Sequence, residues 1–319
     1  MSINDRAIII VKKSVVLLFS GQGAQEVGMG KSLVDEFPEA KNIFELADKQ
    51  LGVNLSEVMF QGPAEELTKT SMCQPALYLH GLASWKILQS QCPDLEPVAA
   101  AGLSLGEFTA YSAAGAFTFE NGLDVVARRG EFMEQACNET QGSMAAIIGG
   151  DEKSVCALAK DFDVDVANFN APGQIVISGE GSKIKSALEK VKEYGCRMGK
   201  ELIVAGAYHS KLMQSAQEKL SEKLKGFSIS NPEFPVISNV EAKSMSGSDE
   251  IINSLERQVT GSVRWAQSME SLLAEGHDLF LEFSPKPVLA GLMNRIRKGT
   301  QVITVGDAES LEEAVKTLS

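Results

Sequence analysis

Short runs of aliphatic and β-branched residues alternate along this chain with longer segments of helical periodicity. This alternation leaves few folds open, because strands separated by helices form parallel sheets with helices packed on their faces. The predicted strands are SVVLLFS, EPVAAA, SMAAIIG, VDVANF, QIVISG, KELIVA, FPVISN and DLFLEFS. The predicted helices are PALYLHGLASWKILQS, NGLDVVARRGEFMEQA, GSKIKSALEKVKEYG and SKLMQSAQEKLSEKLKG. The sequence therefore predicts an α/β protein.

One part of the chain has shorter elements than the rest. From about residue 141 to about residue 207 they follow the order strand, helix, strand, strand, helix, strand, which is typical of a ferredoxin-like module. We therefore expect a small ferredoxin-like subdomain at residues 141–207, inserted into a larger α/β core formed by residues 1–140 and 208–319. A chain of 319 residues has room for both.

Charge and cysteine content exclude several classes of function. The formal net charge is −12, and an acidic protein repels nucleic acid and anionic membranes. Lys12 and Lys13 divide the N-terminal apolar run, and every apolar run is too short for a membrane span, so we expect neither a signal peptide nor a span. The five cysteines have no metal-type spacing. We expect no metal site and a cytoplasmic protein with reduced thiols.

A Gly-x-Ser-x-Gly pentapeptide occupies residues 102–106, between a predicted strand and a helix. Glycines on both sides permit a tight turn that exposes the hydroxyl group of Ser104. The same turn directs the backbone amide of Leu105 toward a reacting carbonyl, close to a helix N-terminus that favours negative charge. The context favours a nucleophile, but a serine that caps a helix would show the same short pattern.

A serine nucleophile needs a base, and the chain contains three histidines. His80 lies among apolar residues of a predicted helix, which is typical of a packed histidine. His277 lies in a polar turn, which is typical of a solvated one. His209 follows a predicted strand and two small residues and precedes a helix, so its ring can project from a sheet edge where active sites collect. We favour His209 as the base over a histidine that only begins a helix.

Two adjacent arginines share one predicted helix. Arg128 has acidic residues four positions before it and three after it, the pattern of a solvated ion-pair face. Arg129 lies on or beside the apolar face of the helix, where a guanidinium needs an anion. A substrate carboxylate and a structural Asp or Glu would satisfy Arg129 equally well, and the spacing does not choose between them.

The glycine-rich segment FSGQGAQEVGMG follows the first predicted strand. It does not match a phosphate-binding loop, because it lacks both G-K-[ST] and the G-x-G-x-x-G spacing. A loop whose backbone amides donate to a ligand and a plain strand-to-helix turn both fit it.

Six segments together resemble the malonyl-CoA:acyl carrier protein transacylases, the acyltransferases that load the carrier protein in fatty acid synthesis. In chain order they are GQGAQ, GLSLGEFTA, RRGEFMEQA followed by GSMAAIIG, NFNAPGQIVISG, GAYHSKLM and RQVTGSVRW, and the resemblance runs from about residue 15 to about residue 305. Each segment is modest alone, but six in the same order are highly specific. The fold of that family, a hydrolase-like core with a parallel sheet, interrupted by a small ferredoxin-like subdomain, agrees with the fold predicted above.

The resemblance implies a role for each matching residue. Ser104 would be the nucleophile, His209 its base, and Arg129 the group that binds the malonyl carboxylate. The other implied residues are the oxyanion-hole amides of Gln22 and Leu105, the histidine-orienting backbone carbonyl of Gln258, and the pocket residues Leu103, Met133 and Asn170. The family most often has histidine where Leu103 stands, which bears on acyl selectivity.

The implied reaction is a ping-pong transfer of malonyl from malonyl-CoA to the phosphopantetheine thiol of acyl carrier protein, through a malonyl-serine ester. The resemblance implies no cofactor apart from the coenzyme A thioester, which is a substrate, and we expect a monomer. An acyltransferase of a polyketide pathway would carry the same motifs. A serine hydrolase or thioesterase would use the same serine turn but leave Arg129 without a role, and a non-catalytic acyl-binding protein would make the combination accidental.

Docking of an acidic carrier protein onto an acidic chain requires a local basic patch. The predicted patch near the site entrance comprises Lys211, Lys286, Arg295, Arg297 and Lys298.

Overall fold

Two β-sheets organise the computed structural model, which describes residues 12–318. A five-stranded parallel sheet has the order β7-β2-β1-β8-β9. Its strands are β1 (Lys13–Phe19), β2 (Leu95–Gly102), β7 (Val236–Ile237), β8 (Leu279–Phe283) and β9 (Gln301–Val305). An antiparallel sheet has the order β4-β5-β3-β6. Its strands are β3 (Gly142–Ile148), β4 (Asp165–Ala171), β5 (Gln174–Glu180) and β6 (Met198–Glu201).

Helices cover both sheets. The first group is α1 (Lys31–Glu36), α2 (Pro38–Leu51), α3 (Leu55–Gln61), α4 (Ala64–Thr68), α5 (Thr70–Gln91), α6 (Leu105–Ala113) and α7 (Phe119–Glu139). The second group is α8 (Glu152–Asp161), α9 (Gly181–Lys190), α10 (Gln214–Leu224), α11 (Ser248–Gln258), α12 (Trp265–Ala274), α13 (Val288–Ile296) and α14 (Ala308–Leu318). A 3-10 turn, Lys211–Met213, precedes α10.

The parallel sheet is buried on both faces. Along β1, Val15 and Leu17 point into one apolar core and Val16 and Leu18 into another, because successive side chains of a strand face opposite sides. The first core includes residues of α5, α6 and α7, and the second includes residues of α12 and α13. A parallel sheet covered on both faces explains why β1 is a continuous apolar run.

The antiparallel sheet packs against α8 and α9 on one face, while Met144 and Val176 on its other face join the large core. Its elements follow the predicted order β3, α8, β4, β5, α9, β6, so the predicted fold class, a hydrolase-like α/β core with a ferredoxin-like module, is confirmed. The domain limits placed at residues 141 and 207 stay a prediction. The apolar run before Lys12 and the last residue, Ser319, lie outside the described residues.

Two predicted strands are shorter than expected. KELIVA was expected to be a strand to its end, but β6 ends at Glu201 and Ile203 is fully exposed. FPVISN supplies only the two residues of β7. Strand β9, with the sequence QVITV, was not predicted, and α5 begins at Thr70 rather than at Pro75. Within the described part of the chain no helix is long and apolar enough to span a membrane.

Candidate active site

Ser104 lies at the carboxyl-terminal edge of the parallel sheet, between the end of β2 and the start of α6. Its φ of 57° is a value that residues other than glycine seldom adopt. The flanking glycines are required by close approach: a Cβ on Gly102 would lie 1.9 Å from Gly106 C and O, and a Cβ on Gly106 would lie 2.2 Å from Phe19 O. The pentapeptide therefore forms a strained turn that presents a hydroxyl group, as its pattern predicts.

Two side chains hold the backbone of Ser104 in this conformation. The Ser104 N–H donates to Asn239 Oδ1 at 2.7 Å, and Gln258 Nε2 donates to the Ser104 carbonyl at 2.8 Å. Asn239 Nδ2 also donates to the Gly102 carbonyl at 2.7 Å. Sequence reasoning missed Asn239, since the only signal was an asparagine at the end of a predicted strand.

His209 is buried and faces the hydroxyl group of Ser104. Its Nε2 lies 2.9 Å from Ser104 Oγ, and its Nδ1 lies 2.8 Å from the Gln258 carbonyl and 3.1 Å from the Gly261 carbonyl. Carbonyl oxygens only accept, so Nδ1 carries the proton and the lone pair of Nε2 faces Ser104. Burial lowers the pKa of His209 to about 4, and the positive charge of Arg129 is the second contribution to this shift. The imidazole is therefore neutral at pH 7 and able to accept a proton.

Arg129 is buried on α7 and reaches the same hydroxyl group. Its Nη2 donates to Ser104 Oγ at 3.0 Å and to Gln258 Oε1 at 2.7 Å, and its Nη1 donates to Gln74 Oε1 at 2.7 Å. Arg129 Nε has no hydrogen-bond partner among residues 12–318. Burial lowers the pKa of Arg129 to about 10, so it remains charged at neutral pH.

All three groups that accept from Arg129 are neutral: two amide oxygens and one hydroxyl. No carboxylate of the described residues lies within ion-pair distance of this guanidinium. Of the two alternatives that the sequence leaves open, the structure thus favours a place for a ligand anion over a structural ion pair. Arg128, by contrast, is exposed and pairs with Glu131 at 2.7 Å and Asp124 at 3.8 Å, as predicted.

A cavity of about 460 Å³ opens onto Ser104 and His209. The other predicted site residues on its wall are Gln22, Leu103, Leu105, Met133 and Asn170. Arg129 and Gln258 are not wall residues, but Arg129 contacts the Ser104 hydroxyl group and Gln258 contacts the Ser104 carbonyl. Asn170 Oδ1 is buried without a hydrogen-bond partner in the described chain, and the mouth carries the exposed apolar side chains of Ile203, Val204 and Val288. Such a site can bind an acyl group on a flexible arm.

Glu107 is a buried carboxylate that sequence reasoning missed. It lies on the first turn of α6, and its Oε2 accepts from Gln258 Nε2 at 2.7 Å and from the Asn239 N–H at 3.1 Å. Burial raises the pKa of Glu107 to about 7, although both hydrogen bonds and the charge of Arg129 oppose the shift. A glutamate in the first turn of a helix is ordinary in sequence, so nothing marked it as part of the site.

The other two histidines lie where the sequence places them. His80 is buried in α5, with Nε2 2.8 Å from the Gly306 carbonyl. His277 lies between α12 and β8, with Nε2 3.6 Å from Glu275. Neither is a wall residue of the cavity at Ser104.

The predicted basic patch is wrong as a single surface. Arg297 and Lys298 line a groove with Lys13 at the amino-terminal ends of the parallel strands, at the edge opposite Ser104. Helix α13 runs back across the sheet, and this carries the end of the basic segment away from the site. Lys286 lies 3.2 Å from Glu26, and Lys211 pairs with Asp163. Among the described residues no cluster of three His, Cys, Asp or Glu side chains could hold a metal ion.

Comparison with known proteins places this chain in a family. The family described as "Acyl transferase domain" matches residues 16–313. The Malonyl CoA-acyl carrier protein transacylase of Bacillus subtilis (strain 168) is 40% identical over 309 residues, which cover 95% of this chain and 97% of that protein. The Polyketide biosynthesis malonyl CoA-acyl carrier protein transacylase PksC of the same organism is 40% identical over 295 residues, covering 91% and 99%.

Solved structures agree. The acyl-carrier-protein-S-malonyltransferase of Bartonella henselae superposes with a TM-score of 0.90 at 36% identity, covering 96% of this chain and 99% of that one. A malonyl-transacylase solved in complex with its type II PKS acyl-carrier protein superposes with a TM-score of 0.92 at 35% identity, covering 96% and 100%. The chain belongs to the acyl transferase family.

Proposed function

We propose that this chain is a malonyl-CoA:acyl carrier protein transacylase, an [acyl-carrier-protein] S-malonyltransferase of fatty acid biosynthesis. The observation that carries the proposal is the position of Ser104 Oγ, 2.9 Å from His209 Nε2 and 3.0 Å from Arg129 Nη2. One hydroxyl group thus meets both a neutral base and a buried cation that has no carboxylate of residues 12–318 within ion-pair distance. The relatives named above carry this activity in their names.

In the first half-reaction Ser104 attacks the thioester of malonyl-CoA. His209 Nε2 takes the hydroxyl proton as Oγ bonds to the carbonyl carbon, and the backbone amides of Gln22 and Leu105 donate to the resulting oxyanion. The carbon–sulfur bond then breaks, and His209 returns the proton to the leaving thiolate. The products are free coenzyme A and a malonyl ester on Ser104.

In the second half-reaction the phosphopantetheine thiol of the acyl carrier protein takes the place of coenzyme A. His209 accepts the thiol proton, the sulfur attacks the ester carbonyl, and the same two amides stabilise the second tetrahedral intermediate. Collapse breaks the bond to Oγ, and His209 returns the proton to Ser104. The histidine thus serves as base and acid in each half, with Nδ1–H held by the backbone carbonyl of Gln258 where a triad would use a carboxylate.

Arg129 sets the choice of acyl group. Its guanidinium touches the oxygen that becomes the ester oxygen, so the carboxylate of a malonyl group, two bonds beyond the carbonyl carbon, is within reach of it. An acetyl group would leave the buried charge unpaired, and an unpaired buried charge is strongly unfavourable. Leu103, Met133 and Asn170 form the wall around the acyl group.

We further propose that the protein acts in the cytoplasm as a monomer. Acyl transfer between an oxygen and a sulfur atom moves protons and an acyl group only, so it needs no redox cofactor or metal beyond the coenzyme A thioester that is the substrate. A polyketide role remains the second candidate, because relatives of that kind are as similar as those named without a pathway.

The test is transfer of malonyl from malonyl-CoA to a purified holo acyl carrier protein, followed by the intact mass of the carrier. We expect malonyl-carrier to accumulate much faster than free malonate. Release of malonate at the rate of transfer would instead indicate a serine hydrolase. Running the assay with carriers of the fatty acid and polyketide types separates the two pathways, and a preference for the polyketide carrier would overturn the fatty acid assignment.

A further inference from the structure

Gln258 contacts Arg129, Ser104 and His209, the three residues that meet at the nucleophile. Its side-chain oxygen accepts from Arg129, its side-chain nitrogen donates to the Ser104 carbonyl, and its backbone carbonyl accepts from His209. The side-chain amide works in one orientation only. If it were flipped, its nitrogen would face the donors of Arg129 and its oxygen would face the Ser104 carbonyl, and both pairs would repel. A group that holds the Gln258 amide in this orientation therefore also holds Arg129 and Ser104 in place.

The Gln258 amide is fixed by Glu107. Both side chains are fully buried, and Glu107 Oε2 accepts from Gln258 Nε2 at 2.7 Å. The same oxygen accepts from the backbone N–H of Asn239 at 3.1 Å, and Asn239 holds the Ser104 amide. The two residues that clamp the strained peptide groups of Ser104 thus donate to the same carboxylate oxygen, Gln258 through its side chain and Asn239 through its backbone. No other carboxylate of the described residues contacts Gln258 or Asn239.

We propose that Glu107 is a positioning residue of the transferase. It orients the Gln258 amide and thereby holds Arg129 and Ser104 in the correct relative positions. Glu107 touches neither substrate nor the reacting atoms, and it is not a wall residue of the cavity. The inference rests on the proposed function, since the role of Arg129 is to bind the malonyl carboxylate.

Glu107 can hold the Gln258 amide whether its own carboxyl group is ionised or protonated. Glu107 Oε1 has no partner in the described part of the chain, so a proton can sit on Oε1 while Oε2 goes on accepting from both donors. A glutamine at this position can do the same, with its oxygen at the place of Oε2 and its NH₂ group at the place of Oε1. An alanine supplies no acceptor and leaves the Gln258 amide free to turn.

The experiment compares acylation of Ser104 by malonyl-CoA and by acetyl-CoA in rapid-quench intact-mass measurements. For Glu107→Ala we expect slower acylation by both thioesters and a malonyl-to-acetyl rate ratio about tenfold below that of the wild type, because Arg129 loses its fixed partner. For Glu107→Gln we expect both rates and their ratio within about threefold of the wild type. The matched control is Thr109→Val on the same helix, where a buried hydroxyl makes no hydrogen bond to the described residues.

A merely structural role would slow both thioesters alike, so an unchanged ratio in Glu107→Ala contradicts the proposal, as does a Glu107→Gln variant as impaired as the alanine variant. If Glu107→Ala does not fold, Glu107→Asp repeats the test, because its shorter side chain cannot reach both donors; a wild-type ratio there is equally contradictory. The wild type separates the two claims. If malonyl-CoA does not acylate it, the proposed function fails, whereas normal acylation with an unchanged ratio in the variants removes only the role of Glu107.

Discussion

Arg129 Nη2 lies 3.0 Å from Ser104 Oγ, on the hydroxyl group that His209 also contacts. The guanidinium donates to the oxygen, so the hydroxyl proton is left to point at the imidazole. Both functions that we propose for the site, activation of the nucleophile and selection of the acyl group, therefore depend on one atom, Ser104 Oγ.

Replacing Arg129 should change acyl selectivity. For Arg129→Ala we expect the malonyl-to-acetyl ratio of acylation rates to fall about 100-fold, or about 3 kcal/mol, because the malonyl carboxylate would be buried without its cation. Acylation by each thioester is measured by intact mass. Arg128→Ala is the matched control, since Arg128 is exposed and its ion-pair partners among the described residues are acidic neighbours on its own helix. Equal losses on both thioesters in Arg129→Ala would remove Arg129 from the carboxylate-binding role.

The rate of acylation should stay constant down to about pH 5. His209 must be neutral to accept the proton, and burial together with the charge of Arg129 lowers its pKa to about 4. Protonation then sets in only near pH 4, so we expect the rate of acylation to be flat from about pH 8 to about pH 5 and to fall below that. Removing a neighbouring positive charge favours the protonated form, so Arg129→Ala, assayed with acetyl-CoA, should move the midpoint upward. A wild-type midpoint near the ordinary value of 6.5 would show that the imidazole is not desolvated.

Glu107 should make stability depend on pH. Burial raises its pKa in the folded protein from 4.5 to about 7, so between these values the unfolded chain binds fewer protons than the folded one. The stability that Glu107 contributes is then present below pH 4.5 and lost as the pH rises to about 7. The Glu107→Gln variant does not lose this stability, because a glutamine side chain does not ionise. We expect its free energy of unfolding, relative to wild type, to rise by about 3 kcal/mol across this range in urea titrations.

Two titratable side chains interact with Glu107: the charged guanidinium of Arg129 and, on the same helix, the phenol of Tyr111, which stays neutral because burial raises its pKa. A constant stability difference between wild type and Glu107→Gln from pH 4.5 to pH 7 would mean that the carboxyl group ionises normally.

Leu103 should shape selectivity more than reactivity. It lines the cavity next to the nucleophile, and its carbonyl approaches Gly21 so closely that a Cβ there would lie 2.4 Å from it. Its backbone is thus fixed, while its side chain lines the cavity in which we propose that the acyl group binds. For Leu103→His we expect altered ratios across a panel of acyl-CoA thioesters, with Ser104 still acylated. A collapse of all acylation would show that this position supports the nucleophile itself.

Much of this arrangement could be predicted from sequence, because the residues that form it carry local signals. The Gly-x-Ser-x-Gly turn needs glycine at positions 102 and 106, because a Cβ at either position would collide with backbone atoms. This requirement is visible in the sequence. Arg129 stood out because a charge at an apolar helix position needs a partner. The alternation of strands and helices likewise indicated both sheets.

The supporting network left no local signal. Glu107 and Asn239 become meaningful only when α6 and the segment after β7 meet, since their contacts join residues 132 positions apart. The prediction of a basic patch was wrong for a related reason. The two ends of the basic segment are close in sequence, but α13 separates them and places them at opposite ends of the parallel sheet. Sequence proximity predicts proximity in space only within one turn of a helix or at one end of a strand.

In the proposed reaction Ser104 carries the malonyl group. Mixing the protein with malonyl-CoA, without a carrier protein, and measuring its intact mass tests this directly. We expect one malonyl adduct on the wild type and none on Ser104→Ala, with the adduct mapped to the peptide that contains Ser104. An adduct that persists in Ser104→Ala, or no adduct on the folded wild type, would show that Ser104 is not the nucleophile.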